Sequence, residues 1–403
     1  MDRKQNVLIV HNYYKIPGGE DTVAANEKRL LEEHGHHVAF YSRSNQELDT
    51  LSFWKKLFLP LSFFFSLRTY RDIKRLIREE EIDIVHVHNT LSLISPSVYY
   101  AASACKVPVV QTVHNFRFLC PAATFVREGK ICEDCVQKGL GCAVRHSCYR
   151  GSKAQTLVSA AILKLNRMLG TYRRLFYICL TDFNKEKLLL LNQNGKSRCV
   201  VKEERIFVKP NFVWEPETGT VQKKARYIYI GRLDILKGVR VLLEAWKEIP
   251  DIELLICGSG PEKEWIEKYI QENRMSQVRM MGLLPHEEVL QLLAESRGLV
   301  MPALWYEGQP MVILESYAAG TPVLASDLGN AGAMVVPGET GLRFAPGDAE
   351  ELRRAVREAW KIDCWQTKET YEKLYSPVKN YEILKLIYDH VGEQYECGRE
   401  TCS

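Results

Sequence analysis

The sequence predicts an α/β protein of two doubly wound domains. Short apolar runs of strand length alternate with segments of helical spacing, and glycine-bearing loops separate many of them. The same alternation occurs twice, on either side of a proline-bearing stretch. With 403 residues and 46% hydrophobic content, the chain exceeds one ordinary core and suits two domains of roughly 200 residues each.

In the first half, Asn6–Val10 is a short apolar run and PGGED a turn, and Thr22–His34 has helical spacing with Thr22 or Asp21 as its cap. His37–Tyr41, Ile82–Val87 and Val107–Val113 read as further buried strands, which argues for a parallel sheet with crossover helices. Around Phe207–Pro216 the chain turns loop-like, with Pro210, Asn211 and Pro216, and a new strand begins near Tyr227–Ile230. The expected domains are therefore residues 1–210 and 221–375. The second half runs YIYIGRLDILKG, IELLICGSG, VRMMGLLPHEE and GLVMPALWYEG, each followed by a helix, then TPVLAS and a glycine-rich loop. Residues 376–403 follow a completed second domain and are expected to form a helix that crosses back to the first.

Net charge is +4 with 26% charged residues, too little for wholesale nucleic-acid binding. The N-terminal MDRKQNVLIVHNYY lacks the apolar region and cleavage site of a signal peptide, so a cytoplasmic location is expected. The most apolar stretch, Leu51–Leu67, is interrupted by Lys55, Lys56 and Pro60 and is not expected to span a membrane. It combines Phe53, Trp54, Phe58, Phe63, Phe64 and Phe65 with Lys55, Lys56 and Arg68, which suits peripheral contact with lipid headgroups. Packing of these aromatics within the first domain accounts for them equally well.

In open parallel sheets the loops after the strands form the ligand crevice. Arg232 follows the strand YIYI and Lys237 comes five residues later, so both can converge on one anion. Alone, either reads more readily as an ordinary surface cation of a solvated loop. Beside them in the pattern stands EGQPMVILE, which puts Glu307 on a loop and Glu315 in the first turns of a helix. Two carboxylates accept hydrogen bonds from sugar hydroxyls, and the free N–H groups of the helix start face an anion. A nucleotide-sugar site follows.

The ordered set GRLDILKG, CGSGPEKEW, MGLLPHEE and EGQPMVILESYAAGTPVLASDLGN resembles the C-terminal domain of the retaining glycosyltransferases of family 4. The early PGG loop and the strand ends VHVHN and TVHN resemble that family's N-terminal domain. The resemblance implies the GT-B fold, two Rossmann-like domains facing across a cleft. It also implies Arg232 and Lys237 as the diphosphate pair, Glu307 as the donor-sugar carboxylate and Glu315 as the ribose carboxylate. Gly18 and Gly19 become a loop that closes over phosphate, and His114 a histidine facing the donor sugar; a structural role is the plainer account of a lone histidine at a strand end. The base is expected beside Gly282–Leu284 and the Gly258-Ser259-Gly260 loop, with Gly260 and Leu284 in contact. Pro310 replaces a glycine frequent in the family and has no N–H, so Met311 and Val312 are left as the backbone donors.

No Asp-x-Asp occurs, so transfer is expected to need no divalent cation, and no further carboxylate stands out as a nucleophile. The resemblance implies front-face transfer with retention from a UDP- or GDP-sugar to a glycan or polyprenyl-diphosphate-linked acceptor. Acceptors on lipid would place the protein at the inner face of the plasma membrane. A sugar synthase or phosphorylase, or a non-catalytic binding subunit on the same fold, is the alternative.

Twelve cysteines are present, and Cys120, Cys132, Cys135, Cys142 and Cys148 crowd into residues 120–148. Thiolates at Cys-x-x-Cys spacing share tetrahedral zinc, while free thiols or a redox-sensitive loop remain the other reading. A similar insert in some family 4 enzymes implies Cys120, Cys132, Cys135 and Cys148 as the ligands of a structural zinc, with Cys142 spare.

Overall fold

A computed structural model describes residues 4–15, 18–50, 53–193, 199–219, 221–362 and 365–400, without the side chains of 53–58 and 396–400. The chain divides into two compact units. Met1–Thr124, Glu133–Pro210 and Asn380–Ser403 form the first; Phe125–Cys132 and Asn211–Lys379 form the second.

The first unit opens with β1 (Asn6–Tyr13), β2 (His37–Ser44), β3 (Ile84–Asn89) and β4 (Val109–Val113). The antiparallel pair β5 (Val126–Arg127) and β6 (Lys130–Ile131) intervenes, and the first unit resumes with β7 (Phe176–Cys179) and β8 (Ile206–Val208). The order is β2-β1-β3-β4-β7-β8 with every pairing parallel. β3 and β4 are buried at every position, as strands covered on both faces must be. Their polar members are therefore forced to find partners inside.

The helix Gly19–Glu33 starts three residues before the expected Thr22. Asp21 lies inside its first turn and caps it from there, its Oδ2 accepting from Gly18 N–H at 2.8 Å. β2 also runs three residues beyond the expected Tyr41, to Ser44, which caps a following 3-10 turn by accepting from Gln46 N–H.

In the second unit β9 (Lys224–Ile230), β10 (Glu253–Cys257), β11 (Val278–Gly282), β12 (Ser296–Met301), β13 (Val323–Ser326) and β14 (Gly341–Phe344) pair in the order β11-β10-β9-β12-β13-β14, all parallel. The winding reverses between β9 and β12, which makes their carboxyl ends the switch point where such sheets bind ligands. Strand alternation feeds two cores. Tyr227, Leu254, Ile256, Val300 and Leu324 pack with Trp246 on one face, and Ile228, Leu255, Leu299, Val323 and Ala325 with Tyr317 on the other. Each helix supplies its apolar face to one of these layers.

Helix Pro377–Glu400 contributes its residues from Asn380 onward to the first unit. Tyr388 Oη bonds His86 Nδ1 at 2.7 Å, Tyr381 Oη bonds His36 Nε2 at 2.9 Å, and Asn380 Oδ1 accepts from Lys209 Nζ at 3.0 Å. A segment distant in sequence thus closes the back of the first sheet. Among the described residues, no helix is long and apolar enough to cross a membrane.

Trp246 is fully buried and donates through Nε1 to Ile252 O at 3.0 Å. Trp246→Ala is expected to cost about 3–5 kcal/mol. Chemical denaturation followed by circular dichroism should show an earlier transition in the variant.

Candidate functional site

The loops of the second unit meet at the switch point because their backbones touch. Gly238 has φ of +76°, and a Cβ there would lie 1.7 Å from the carbonyl oxygen of Pro302, so only glycine fits. Leu304 N–H donates to Leu236 O at 2.8 Å, joining the loop after β9 to the loop after β12. Gly258, with φ of +145°, approaches Gly231 so closely that a Cβ would sit 1.9 Å from its carbonyl oxygen. Three loops are laced together before any side chain is placed.

Lys237 and Glu307 are paired by this lacing. Lys237 Nζ lies 2.7 Å from Glu307 Oε1, Trp305 Nε1–H donates to the same oxygen at 2.6 Å, and the ammonium stands 5.5 Å from the Trp305 ring centre. Glu307 is 7% exposed. Asn330 Nδ2 donates to Glu307 O at 2.8 Å and fixes the loop backbone. Arg232 points more freely, its side chain 65% exposed, and pairs with Asp234. Partial burial pushes the Asp234 carboxyl up, but the Arg232 guanidinium and the Leu236 N–H hold it below the usual carboxylate range.

Pro310 is the N-cap of the helix Met311–Ala318. The first backbone bond back to the cap comes from Ile313, to Pro310 O at 3.1 Å, so the N–H groups of Met311 and Val312 precede it. Burial raises the Glu315 carboxyl, and His286 at 3.7 Å opposes the shift. Gly282 N-terminal to Leu283-Leu284 accepts from Gly258 N–H at 2.7 Å, which brings the two expected base-side loops together. Of the site residues read from sequence, Arg232, Lys237, Gly260, Leu284, Glu307, Met311, Val312 and Glu315 all lie in the second unit.

Gly18, Gly19 and His114 lie in the first. Gly18 N–H is already given to Asp21, which leaves less of that loop for an anion than the sequence suggests. Glu20, the next residue along, accepts from Asn89 Nδ2 at 3.0 Å and Asn115 Nδ2 at 3.4 Å. Burial pushes its carboxyl up to about 7, with Tyr14 and Arg117 opposing. His88, Asn89, His114, Asn115 and Arg117 line a cavity of about 70 Å³ at the carboxyl ends of β3 and β4. His114 Nε2 lies 2.9 Å from His88 Nδ1, and burial followed by His88 holds its pKa well below the ordinary histidine value.

Among the described residues, the histidine, cysteine and carboxylate ligand atoms that gather in a group of three within 4.8 Å belong to Glu27, His86 and His88, and not to the cysteines of residues 120–148. Cys135 feels Cys120, Cys148 and Cys142, and its thiol is pushed up to about 12, first by burial and then by those thiols. Cys132 falls in the segment assigned to the second unit. Of the aromatic stretch, Phe53, Trp54, Lys55, Lys56 and Phe58 lie outside the described side chains; Phe65 touches Tyr70 and Tyr100 at ring distances of 5.5 and 5.9 Å.

Residues 212–377 match the family described as Glycosyl transferases group 1, and residues 17–130 match Glycosyltransferase Family 4. The chain is built on two glycosyltransferase-family domains. Both glycosyltransferase domains are Rossmann-like, and together they give the GT-B fold. The glycogen synthase of Mycobacterium tuberculosis is 36% identical over 147 residues, which cover 35% of this chain and 34% of the relative. The chain thus spans about a third of the length of that relative. The O-antigen chain mannosyltransferase B of Escherichia coli is 28% identical over 146 residues, 34% of this chain and 38% of the relative. In fold, the chain is similar to the lipopolysaccharide outer core galactosyltransferase WaaB, with TM-score 0.64, 17% identity and coverage of 95% and 98% of the two chains. It is also similar to Anabaena HepE solved with UDP and glucose, with TM-score 0.58, 15% identity and coverage of 98% and 100%.

Trp305, Asp234, Asn330 and Glu20 were not singled out by sequence. Trp305 and Asp234 each stand two residues from an expected site residue, and such neighbours are the signal that finds them. Because the Glu20 carboxyl is raised in the fold, it keeps its proton after the unfolded chain has lost its own near about pH 4.3. Glu20 therefore lowers stability progressively from that pH up to about 7. Glu20→Gln should raise the thermal midpoint at pH 8, and the gain should shrink to nothing near pH 4 in scanning calorimetry.

Proposed function

We propose that the protein is a retaining glycosyltransferase that moves a sugar from a UDP- or GDP-sugar to a glycan or polyprenyl-linked acceptor in cell-surface polysaccharide synthesis. The observation that carries this reading is the Lys237–Glu307 pair, held with Trp305 at the switch point of the second sheet. A donor diphosphate entering there meets Lys237, Arg232 and the N–H groups of Met311 and Val312, which neutralise the charge that develops on the leaving phosphate. Glu307, released from Lys237, accepts from the sugar hydroxyls, and Glu315 from the ribose. The absence of Asp-x-Asp supports transfer without a divalent cation. In this reading transfer is front-face, and the leaving phosphate oxygen takes the acceptor proton. His114 serves a sugar hydroxyl in this reading, and the Gly18-Gly19 loop an anion.

The acceptor is assigned to the first unit, whose cavity sets the polar groups of His88, Asn89, His114, Asn115 and Arg117 among apolar walls. Exposed Leu61, Phe65 and Leu67 beside Arg68 support contact with a membrane surface that carries lipid-linked acceptors, at the cytoplasmic face. The glycogen synthase relative favours a second reading, a synthase acting on a soluble sugar or glucan.

Lys237→Ala and Glu307→Ala are each expected to lower kcat/KM by at least about 100-fold while the circular dichroism spectrum is kept. Full transfer by either variant contradicts the assignment. Assays offering polyprenyl-linked acceptors against soluble sugars separate the two readings.

A structural zinc on the cysteine insert is part of the proposal. Cys120, Cys132, Cys135 and Cys148 supply the soft donors zinc prefers, and Cys142 is spare. Protein purified under reducing conditions should carry about one zinc per chain, and removing it by chelation should lower the thermal midpoint. A metal-free, fully stable chain refutes the zinc.

A further inference from the structure

Four histidines stand together in the first unit. His11 is on β1, His86 and His88 are on β3, and His114 follows β4. The His86 and His88 rings are stacked at 4.6 Å, and those of His88 and His114 at 5.2 Å. Behind them lies an ion pair with no exposure, Lys209 Nζ to Glu27 Oε1 at 2.6 Å. The remaining oxygen, Glu27 Oε2, is 3.2 Å from His88 Nε2 and 3.4 Å from His86 Nδ1. Both that oxygen and His88 Nε2 are buried, and neither completes a hydrogen bond with any described residue, so the 3.2 Å approach is a close charge–dipole contact. The function assigned to this chain uses His114 and leaves the rest of the cluster unexplained.

We infer that Glu27 and His88 are positioning residues that hold His114 as its Nε2-protonated tautomer, leaving Nδ1 as a hydrogen-bond acceptor for a hydroxyl group of a bound sugar. This rests on the glycosyltransferase reading for the identity of the ligand, but not for the tautomer.

The argument runs from the inside outward. Burial pushes Glu27 up, but Lys209, His86 and His88 together pull its carboxyl well below the ordinary range, so it is ionised and can only accept. His86 is neutral, lowered to about 3 chiefly by burial, and both its nitrogens are engaged, Nδ1 with Tyr388 Oη and Nε2 with Thr112 Oγ1, each at 2.7 Å. His88 therefore meets Glu27 Oε2 through an Nε2–H. A second proton on His88 would bury a net positive charge beside Lys209, whose charge Glu27 already balances. His88 Nδ1 is then a bare acceptor, and the proton in the 2.9 Å contact belongs to His114 Nε2. His114 Nδ1 has no hydrogen bond to any described residue.

The same three side chains, Glu27, His86 and His88, are spaced for a metal ion. Two features weigh against one. A metal on His86 Nδ1 would displace Tyr388, and it would bind a carboxylate already neutralised by Lys209.

The test is long-range proton–nitrogen correlation NMR on the full chain with labelled histidine, with the His114 signals assigned by their loss in His114→Gln. The expected spectrum shows His114 protonated on Nε2 and bare on Nδ1, unchanged by added zinc. His114 protonated on Nδ1, a doubly protonated His88, or histidine signals of this cluster shifted by stoichiometric zinc would overturn the inference. Glu27→Gln presents His88 with an amide that can donate, and should shift His114 toward the other tautomer and lower kcat by about 10- to 100-fold with donor KM little changed. Glu27→Gln leaves Lys209 buried without its counter-charge, so the wild-type spectrum decides if that variant does not fold. The expected tautomer in a chain that transfers no sugar refutes the proposed function alone; transfer with the opposite tautomer refutes the positioning role alone.

Discussion

The second unit depends on one steric constraint, the contact of the Gly238 backbone with the carbonyl of Pro302. It draws the loop after β9 against the loop after β12 at the point where the sheet changes its direction of winding. With Leu304 bonded to Leu236, the two loops hold Lys237 and Glu307 within reach of each other. The ion pair, the Trp305 hydrogen bond and the start of the helix Met311–Ala318 are consequences of that approach. Preorganised charge of this kind is worth more than the same charges on mobile loops, because no reorganisation is needed when a ligand arrives.

The two units use lysine–carboxylate pairs for opposite ends. Lys237 and Glu307 are partly open to solvent, with side-chain exposures of 28% and 9%, so a ligand can part them and take both. Lys209 and Glu27 are sealed, and parting them would leave a buried charge at a cost of about 3–5 kcal/mol. The first pair is suited to exchange partners and the second to stay fixed. The histidines around Glu27 inherit that fixity, and so does the ring of His114 at the cavity edge.

Much of this was legible in the chain. The strands of the second unit declare themselves by apolar runs ending in glycine, and Glu307 and Glu315 by their place around a helix start. What the sequence concealed was contact at long range. Nothing local shows that Gln309 Oε1 accepts from Asn211 N–H, or that Asn380 reaches Lys209 across 171 residues. Helix starts shifted for a local reason: Asp21 works from inside the first turn, so a pattern that seeks a cap just before the apolar run places the start too late. The histidines of VHVHN were visible as polar residues in a buried strand, but their partners, Glu27 and Tyr388, lie on helices far away in sequence.

The most direct test is hydrogen–deuterium exchange of the full chain with and without UDP and GDP. Protection by one of them that covers residues 231–238, 258–260, 282–284 and 307–315 is the result predicted for a nucleotide-sugar site at this switch point. Unchanged exchange in those four segments with both nucleotides at saturating concentration, or protection confined to other parts of the chain, would contradict it.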